Sequence, residues 1–203
     1  GECKNLTEGM MGYDLNPVIS PDGHYMAWES MERDGYESDK QRLFVMDLLL
    51  GEKVDYSAKF DQCCTGFSWA DDSKILFFIS DAYATDQIYA LSIESGEILK
   101  LTTGKHNYIS VQVNGDNLIA GRQSMSHPTE LFSVSPTTGE ATQITHVNDN
   151  IFAQLTMGEV KERWVKTTDG KDSLVWVIYP PHFDESKQYP ALLYCEGGPQ
   201  STV

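Results

Sequence analysis

His182, Asp184 and Ser186 occupy alternate positions of one polar loop. They are the residue types of a nucleophile activated by a base that an acid orients. Their spacing argues against that chemistry. A triad is defined by geometry and roles, and a loop following Pro180-Pro181 has no strained turn to expose a nucleophile. No Gly-x-Ser-x-Gly elbow occurs anywhere in the 203 residues. His24, His106, His127 and His146 fall singly at turn and strand ends, without metal-ligand spacing. Cys3, Cys63, Cys64 and Cys195 contain no Cys-x-x-Cys pair, which excludes a zinc ribbon or a thioredoxin-type dithiol. Buried thiols, or at most one bridge, are expected instead. Nothing in these residues calls for a metal or an organic cofactor. One segment remains: Glu196-Gly197-Gly198-Pro199, where a Gly-Gly-Pro exit from an apolar run brings bare backbone N–H groups close to whatever docks there.

The elements that carry these residues are built from a repeat. Val18-Ile19-Ser20-Pro21-Asp22-Gly23-His24-Tyr25-Met26-Ala27-Trp28 aligns position for position with Ser68-Trp69-Ala70-Asp71-Asp72-Ser73-Lys74-Ile75-Leu76-Phe77-Phe78. Val113-Asn114-Gly115-Asp116-Asn117-Leu118-Ile119-Ala120 is a third copy with a turn one residue shorter. The turn aspartates fall at 22, 72 and 116. Each suits a tight turn, where its side chain can bond the backbone two residues on.

A second landmark follows each turn: Arg42–Asp47, Gln87–Ser92 and Glu130–Ser135, each running into a Gly-Glu turn with its glycine at 51, 96 and 139. Short polar-alternating strands come next, over Lys53–Ala58, Ile98–Thr103 and Ala141–His146. Asn5-Leu6-Thr7-Glu8-Gly9 resembles Lys100-Leu101-Thr102-Thr103-Gly104, so the chain opens on the tail of an earlier copy. Period-2 alternation of β-branched and aromatic residues between Asp, Gly and Ser turns marks strands. Four strands in roughly 44 residues make the blade of a β-propeller. The first copy carries an extra charged loop, Met31–Gln41, which either decorates the surface or touches a substrate or partner domain.

The period breaks after Asn150. Glu162–Lys166 and Asp172–Tyr179 read as strands around Thr167-Thr168-Asp169-Gly170-Lys171, whose Asp-Gly is a hairpin signal. Tyr189–Cys195 reads as an apolar strand of a sheet covered on both faces. Residues 1–150 are therefore expected to form a partial propeller, the end of one blade plus three more, and 151–203 the start of another domain. Propellers close with typically 4–8 blades, so both parts are expected to continue outside this sequence.

Charge narrows the function classes. Asp plus Glu is 30 against 15 for Lys plus Arg, a formal charge of −15. A chain this acidic repels phosphate backbones and anionic lipid, so neither nucleic acid nor a membrane surface is an expected partner. No apolar run approaches the roughly 20 residues of a spanning helix.

Phe183-Asp184, Tyr189-Pro190-Ala191-Leu192-Leu193 and Gly197-Gly198-Pro199-Gln200-Ser201 together resemble the entry to the peptidase domain of the prolyl oligopeptidase family of serine peptidases. The nearest likeness is to its dipeptidyl-peptidase and acylaminoacyl-peptidase branch. The resemblance implies an all-β chain of about three four-stranded blades followed by the first strands of an α/β-hydrolase domain. It implies a fragment of a serine exopeptidase that cleaves peptides near the N-terminus, with the catalytic Ser, Asp and His beyond Val203. The partners so implied are a peptide substrate and the remainder of the same polypeptide, with an oligomer left open. The compartment would be periplasmic or secreted, or alternatively cytoplasmic.

In that family the loop at Glu196, Gly197 and Gly198 helps build the oxyanion hole. Glu196 stands where relatives carry His or Tyr. A carboxylate cannot donate to an oxyanion, so stabilisation would come from backbone N–H groups. Glu196 would then either meet a cation, such as a basic side chain or a substrate's free α-amino group, or turn outward. A non-catalytic propeller that binds protein or ligand is the alternative function. It gives no reason to end an apolar strand in Gly-Gly-Pro.

Overall fold

The structure, a computed structural model, describes residues 1–195. Three sheets of four strands follow one another along the chain. The first holds β1 (Asp14–Ile19), β2 (Tyr25–Ser30), β3 (Arg42–Asp47) and β4 (Lys53–Asp55). The second holds β5 (Thr65–Trp69), β6 (Ile75–Asp81), β7 (Asp86–Ser92) and β8 (Ile98–Lys100). The third holds β9 (Asn107–Asn114), β10 (Asn117–Ser124), β11 (His127–Val134) and β12 (Ala141–Gln143). Each sheet keeps chain order with antiparallel neighbours, as propeller blades do. A four-residue helix, α1 (Asp149–Phe152), precedes the hairpin β13 (Val160–Lys166) and β14 (Asp172–Ile178).

Packing follows from alternation along the middle strands. On β6, Leu76 and Phe78 face the first blade and join Ala27, Leu43, Val45, Phe67, Trp69, Tyr89 and Leu91 in one cluster. Phe77 and Ile79 point the other way, into a cluster with Ile88, Tyr108, Val111, Leu118, Phe132 and Val134. The second blade is thus covered on both faces, and β6 reads as an unbroken apolar run for that reason. Bonds between blades fix the stack: Trp69 Nε1–H donates to the Val18 carbonyl at 3.2 Å, and Val113 N–H donates to Ser68 Oγ at 2.9 Å.

The aspartate turns work as the sequence implies in two copies of three. Asp22 Oδ1 accepts from His24 N–H at 3.0 Å, and Asp72 Oδ1 accepts from Lys74 N–H at 3.0 Å. Asp22 N–H also donates to Ser73 Oγ at 3.1 Å, which sets these two turns side by side. The third copy is a two-residue turn of Gly115 and Asp116, with Gly115 at φ +58°.

The outer strands are shorter than the sequence suggests, and a repeated hydroxyl explains it. Ladder pairing stops where Ser57, Thr102 and Thr145 accept the N–H of Leu43, Ile88 and Leu131, at 2.9, 2.9 and 2.8 Å. A side chain has taken the place of the next strand carbonyl. In the third blade Thr145 Oγ1 in turn donates to buried Glu130. That bond, with those from Asn148 N–H at 3.0 Å and Asn148 Nδ2 at 2.9 Å, holds the Glu130 carboxyl down at about 2.

A depressed carboxyl stabilises the fold above its unfolded value, about 4.3, and loses that contribution as pH falls towards the folded value. Glu130→Gln should therefore flatten the decline of the melting temperature from about pH 4.3 down to about 2. Equal slopes for the two proteins would remove Glu130 as a source of acid sensitivity.

Residues 1–13, expected as the tail of an earlier copy, form no strand, and Leu6 and Met10 pack beside Met26, Trp28 and Met46 on the face of the first blade turned away from the second. Two expectations need correction. Tyr189–Cys195 forms no strand either, and Leu192 and Leu193 are 101% and 86% exposed. A strand needs a neighbouring ladder for its N–H and C=O groups. Among the described residues, β13 and β14 pair with each other, and no strand lies beside this run. The cysteines are all free thiols: Cys64 is buried, Cys63 half-buried, and Cys3 and Cys195 exposed rather than buried.

Candidate functional site

Strands β1, β5 and β9 line the inner side of the blade stack, and each is broken by a bulge. Register shifts lie between Leu15 and Val18, between Thr65 and Ser68, and opposite Gly121 and Arg122 on β9. Asn16 and Gly66 take positive φ at the first two, +53° and +65°. A bulge bends the strand and re-aims its side chains. Between these strands runs a groove of about 570 Å³, walled by Val18, Phe67, Tyr108 and Val111 together with Glu29 and Asp86.

Glu29 is buried and satisfied: Oε1 accepts from Gly66 N–H at 3.2 Å and Oε2 from Gln41 Nε2 at 3.4 Å. Burial pushes the Asp86 carboxyl up, and Asp81, directly opposite it on β6, pushes the same way. The groove is apolar along its wall and acidic where Glu29 and Asp86 stand. Such a wall suits an extended, amide-rich or cationic ligand better than an anion.

Connectivity sorts the loops between the two ends of the stack. The β1–β2, β5–β6 and β9–β10 turns, which include Asp22, Asp72 and Asp116, lie at one end. The β2–β3, β6–β7 and β10–β11 connections lie at the other, and the hairpin β13–β14 sits there. Tyr83, from the β6–β7 turn, meets Trp164 edge-on with ring centroids 5.9 Å apart. Tyr83 and Ala84 both hold φ +54°. This turn geometry normally takes Asn-Gly, and each non-glycine residue there costs about 1–3 kcal/mol.

Loop 31–41 emerges at the hairpin end as well. It is held in place and not merely solvated. Arg33 Nε donates to Asp39 at 2.9 Å, Arg33 N–H donates to the same buried carboxylate at 2.7 Å, and the guanidinium lies 3.9 Å from the Tyr36 ring centre. The bond from Arg33 holds the Asp39 carboxyl below the usual range. Lys40 Nζ anchors the far side on the carbonyls of Ser57 and Phe60, at 2.9 and 2.8 Å.

The residues singled out for chemistry fall as follows. Asp184 accepts from Ser186 N–H at 3.0 Å and Ser186 Oγ at 2.7 Å, and pairs with Lys187 at 3.3 Å. Ser186 therefore gives its proton to an acid, not to a histidine. His24 faces Asp22, His146 faces Asp149 at 2.8 Å, and His127 lies against Phe152. Glu196, Gly197 and Gly198 lie outside the described residues. Among the described residues no group of three or more His, Cys, Asp or Glu side chains could hold a metal ion. No helix there is long and apolar enough to cross a membrane. Sequence reasoning missed Glu29, Asp86 and the bulge positions; Asn16-Pro17 and Gly66, one residue ahead of Phe67, were the available signals.

Successive four-stranded antiparallel sheets in chain order are the arrangement of propeller blades. The chain matches acylaminoacyl peptidase of Pyrococcus horikoshii with a TM-score of 0.67 at 20% identity, covering 81% of this chain and 25% of that one. An acylaminoacyl peptidase in complex with Z-Gly-Gly-Phe-chloromethyl ketone matches with a TM-score of 0.70 at 21% identity, covering 86% and 26%. At these identities the likeness shows the fold alone.

In sequence, the chain is 45% identical over all 203 residues to dipeptidyl-peptidase 5 of Porphyromonas gingivalis and 46% identical to that of Porphyromonas endodontalis. It spans 30% and 29% of the length of these two relatives. No protein-family model matches it. Over its whole length the chain is thus similar to one stretch of these dipeptidyl-peptidase 5 sequences.

Proposed function

We propose that this chain is the propeller-side part of a serine peptidase that releases dipeptides from the N-termini of peptides. The observation that carries the reading is 45% identity to a dipeptidyl-peptidase 5 along the entire chain. Peptide would lie between the hairpin end of the blade stack and the hydrolase domain. The inner groove and loop 31–41 would shape that chamber, and the remainder of the polypeptide would supply the nucleophile, base and acid. Glu196, Gly197 and Gly198 would contribute at the oxyanion side through backbone N–H groups. The dipeptidyl reading is preferred over the acylaminoacyl one because the latter rests on neighbours near 20% identity.

The test uses the whole polypeptide with dipeptidyl- and N-acyl-aminoacyl-chromogenic substrates, and a serine-directed phosphonate. Dipeptidyl substrates should be cleaved, and the phosphonate should label one serine outside residues 1–203. Residues 1–203 expressed alone should show no turnover above background. Labelling at Ser186 or any other serine of this chain would overturn the proposal, as would whole protein that cleaves neither substrate.

A further inference from the structure

Asparagine followed by glycine occurs once in the 203 residues, at Asn114-Gly115. The pair stands at the corner between β9 and β10, where Asn114 closes the ladder opposite Asn117 while Gly115 and Asp116 make the turn. Of the two turn residues Gly115 alone holds positive φ, +58°, the pattern of a type II′ hairpin. Asn114, Gly115 and Asp116 are all exposed. Among the described residues neither the Gly115 N–H nor the Asn114 side-chain amide has a hydrogen-bond partner. A side-chain carbon added at Gly115 would meet open space, so no neighbour crowds this nitrogen.

Such a pair can react with its own backbone. The neutral carboxamide is an electrophile, and attack by the next backbone nitrogen closes a five-membered ring. Glycine removes the side chain that would obstruct the approach, and it turns through conformations that other residues avoid. Ring closure must open the Asn114–Asn117 pair, which is the last of its ladder and faces water. Ladder ends of this kind open at little cost in free energy. The other asparagines precede Leu, Pro, Tyr, Asp or Ile, whose side chains crowd the attacking nitrogen, and proline has no N–H at all. The Asp-Gly turns at Asp22 and Asp169 lack the electrophile. Hydrogen bonds, led by those from Ser20 and Thr167, hold these two carboxyls below the usual range, so near pH 7 they are carboxylates that resist attack.

We propose that Asn114-Gly115 is a site of enzyme-free modification, at which the chain converts its own asparagine to aspartyl and isoaspartyl forms and so loosens the β9–β10 corner. Gly115 N forms a bond to Asn114 Cγ, the Cγ–Nδ2 bond breaks, and the Gly115 amide proton leaves with Nδ2 as ammonia. Water then opens the cyclic imide. Cleavage at Cγ leaves an aspartyl residue, and cleavage at the main-chain carbonyl leaves an isoaspartyl residue. In the second product the chain runs through the former side chain and is one carbon longer, so a two-residue turn no longer fits the register. The next pair is Val113 with Leu118, and Leu118 is buried in the cluster shared by the second and third blades. Either product adds a carboxylate to the end of the stack that carries Asp22, Asp72 and Asp116.

The test is ageing of the whole polypeptide in mildly alkaline buffer, at a temperature where it stays folded, followed by peptide mapping. No turnover is read, so the result does not depend on the peptidase proposal. Asn114 should show the mass change of an amide-to-acid exchange at least about tenfold faster than Asn117, a barrier difference of about 1.4 kcal/mol. Part of the product should be isoaspartyl, read by labelling with a protein-isoaspartyl methyltransferase. Asn114→Gln, whose longer side chain would have to close a six-membered ring, should stay unchanged at this position. Hydrogen exchange on the same samples reads the consequence: residues 112–119 should lose protection in aged wild type and keep it in aged Asn114→Gln. Conversion at Asn114 no faster than at Asn117 overturns the proposal. So does aged wild type that carries the isoaspartyl form and protects residues 112–119 as well as the aged variant does.

Discussion

Replacing Phe78 with alanine is expected to destabilise the fold by about 3–5 kcal/mol. The side chain is fully buried at the junction of the first two blades. Its ring stacks on Tyr89 with centroids 5.6 Å apart, and meets Phe60 and Phe67 edge-on at 6.0 and 6.5 Å. Alanine would leave a cavity walled by three rings and by Leu43 and Val45 from the neighbouring blade, a wall too rigid to collapse. Urea unfolding should show a lower midpoint with an unchanged slope. Leu99→Ala is the control: Leu99 is 58% exposed on an outer strand, and its loss should stay within about 0.5 kcal/mol. Equal effects at the two positions would mean that the blade junction is not packed as described.

Gly139→Ala should cost about 2–4 kcal/mol, against about 1 kcal/mol for the equivalent Gly51→Ala. Gly51, Gly96 and Gly139 close the same turn in three blades, at φ +76°, +70° and +73°. All three therefore carry the left-handed backbone penalty when a side chain is added. Their surroundings differ. A Cβ on Gly51 meets open space, and one on Gly96 makes an ordinary 3.6 Å contact with the Tyr56 ring. A Cβ on Gly139 would overlap the Leu101 carbonyl oxygen, and that backbone cannot step aside without disturbing the second blade. Thermal melting of the three single variants measures the order. Equal losses at Gly51 and Gly139 would show that backbone conformation alone fixes this glycine.

Much of the blade stack was readable because each blade writes its turns into the chain. The aspartates at 22 and 72 and the glycines at 51, 96 and 139 bond or bend the backbone locally, so their meaning survives without tertiary context. The hydroxyls at 57, 102 and 145 recur at a similar period, yet their role went unread. They act on the N–H of a residue 14 positions earlier, a pairing visible only once β3, β7 and β11 lie beside the outer strands. Tyr189–Cys195 misled for the opposite reason. Its apolar content is strand-like, but strand formation depends on a neighbour that composition does not reveal. The inner groove was equally hidden, since Glu29 belongs to it through a bulge at Gly66 and not through any spacing.

The outer strands β4, β8 and β12 are three residues each, ended by a hydroxyl that claims the next N–H of the strand inside it. A longer rim strand would present a row of free N–H and C=O groups, a template on which another chain could pair. Three residues offer too few bonds to hold an incoming strand, and Lys53 and Lys100 add charge at two of the rims. The circumference is thereby made inert to backbone recognition. Contacts with other polypeptide are directed to the two ends of the stack, where side chains, not ladders, decide what fits.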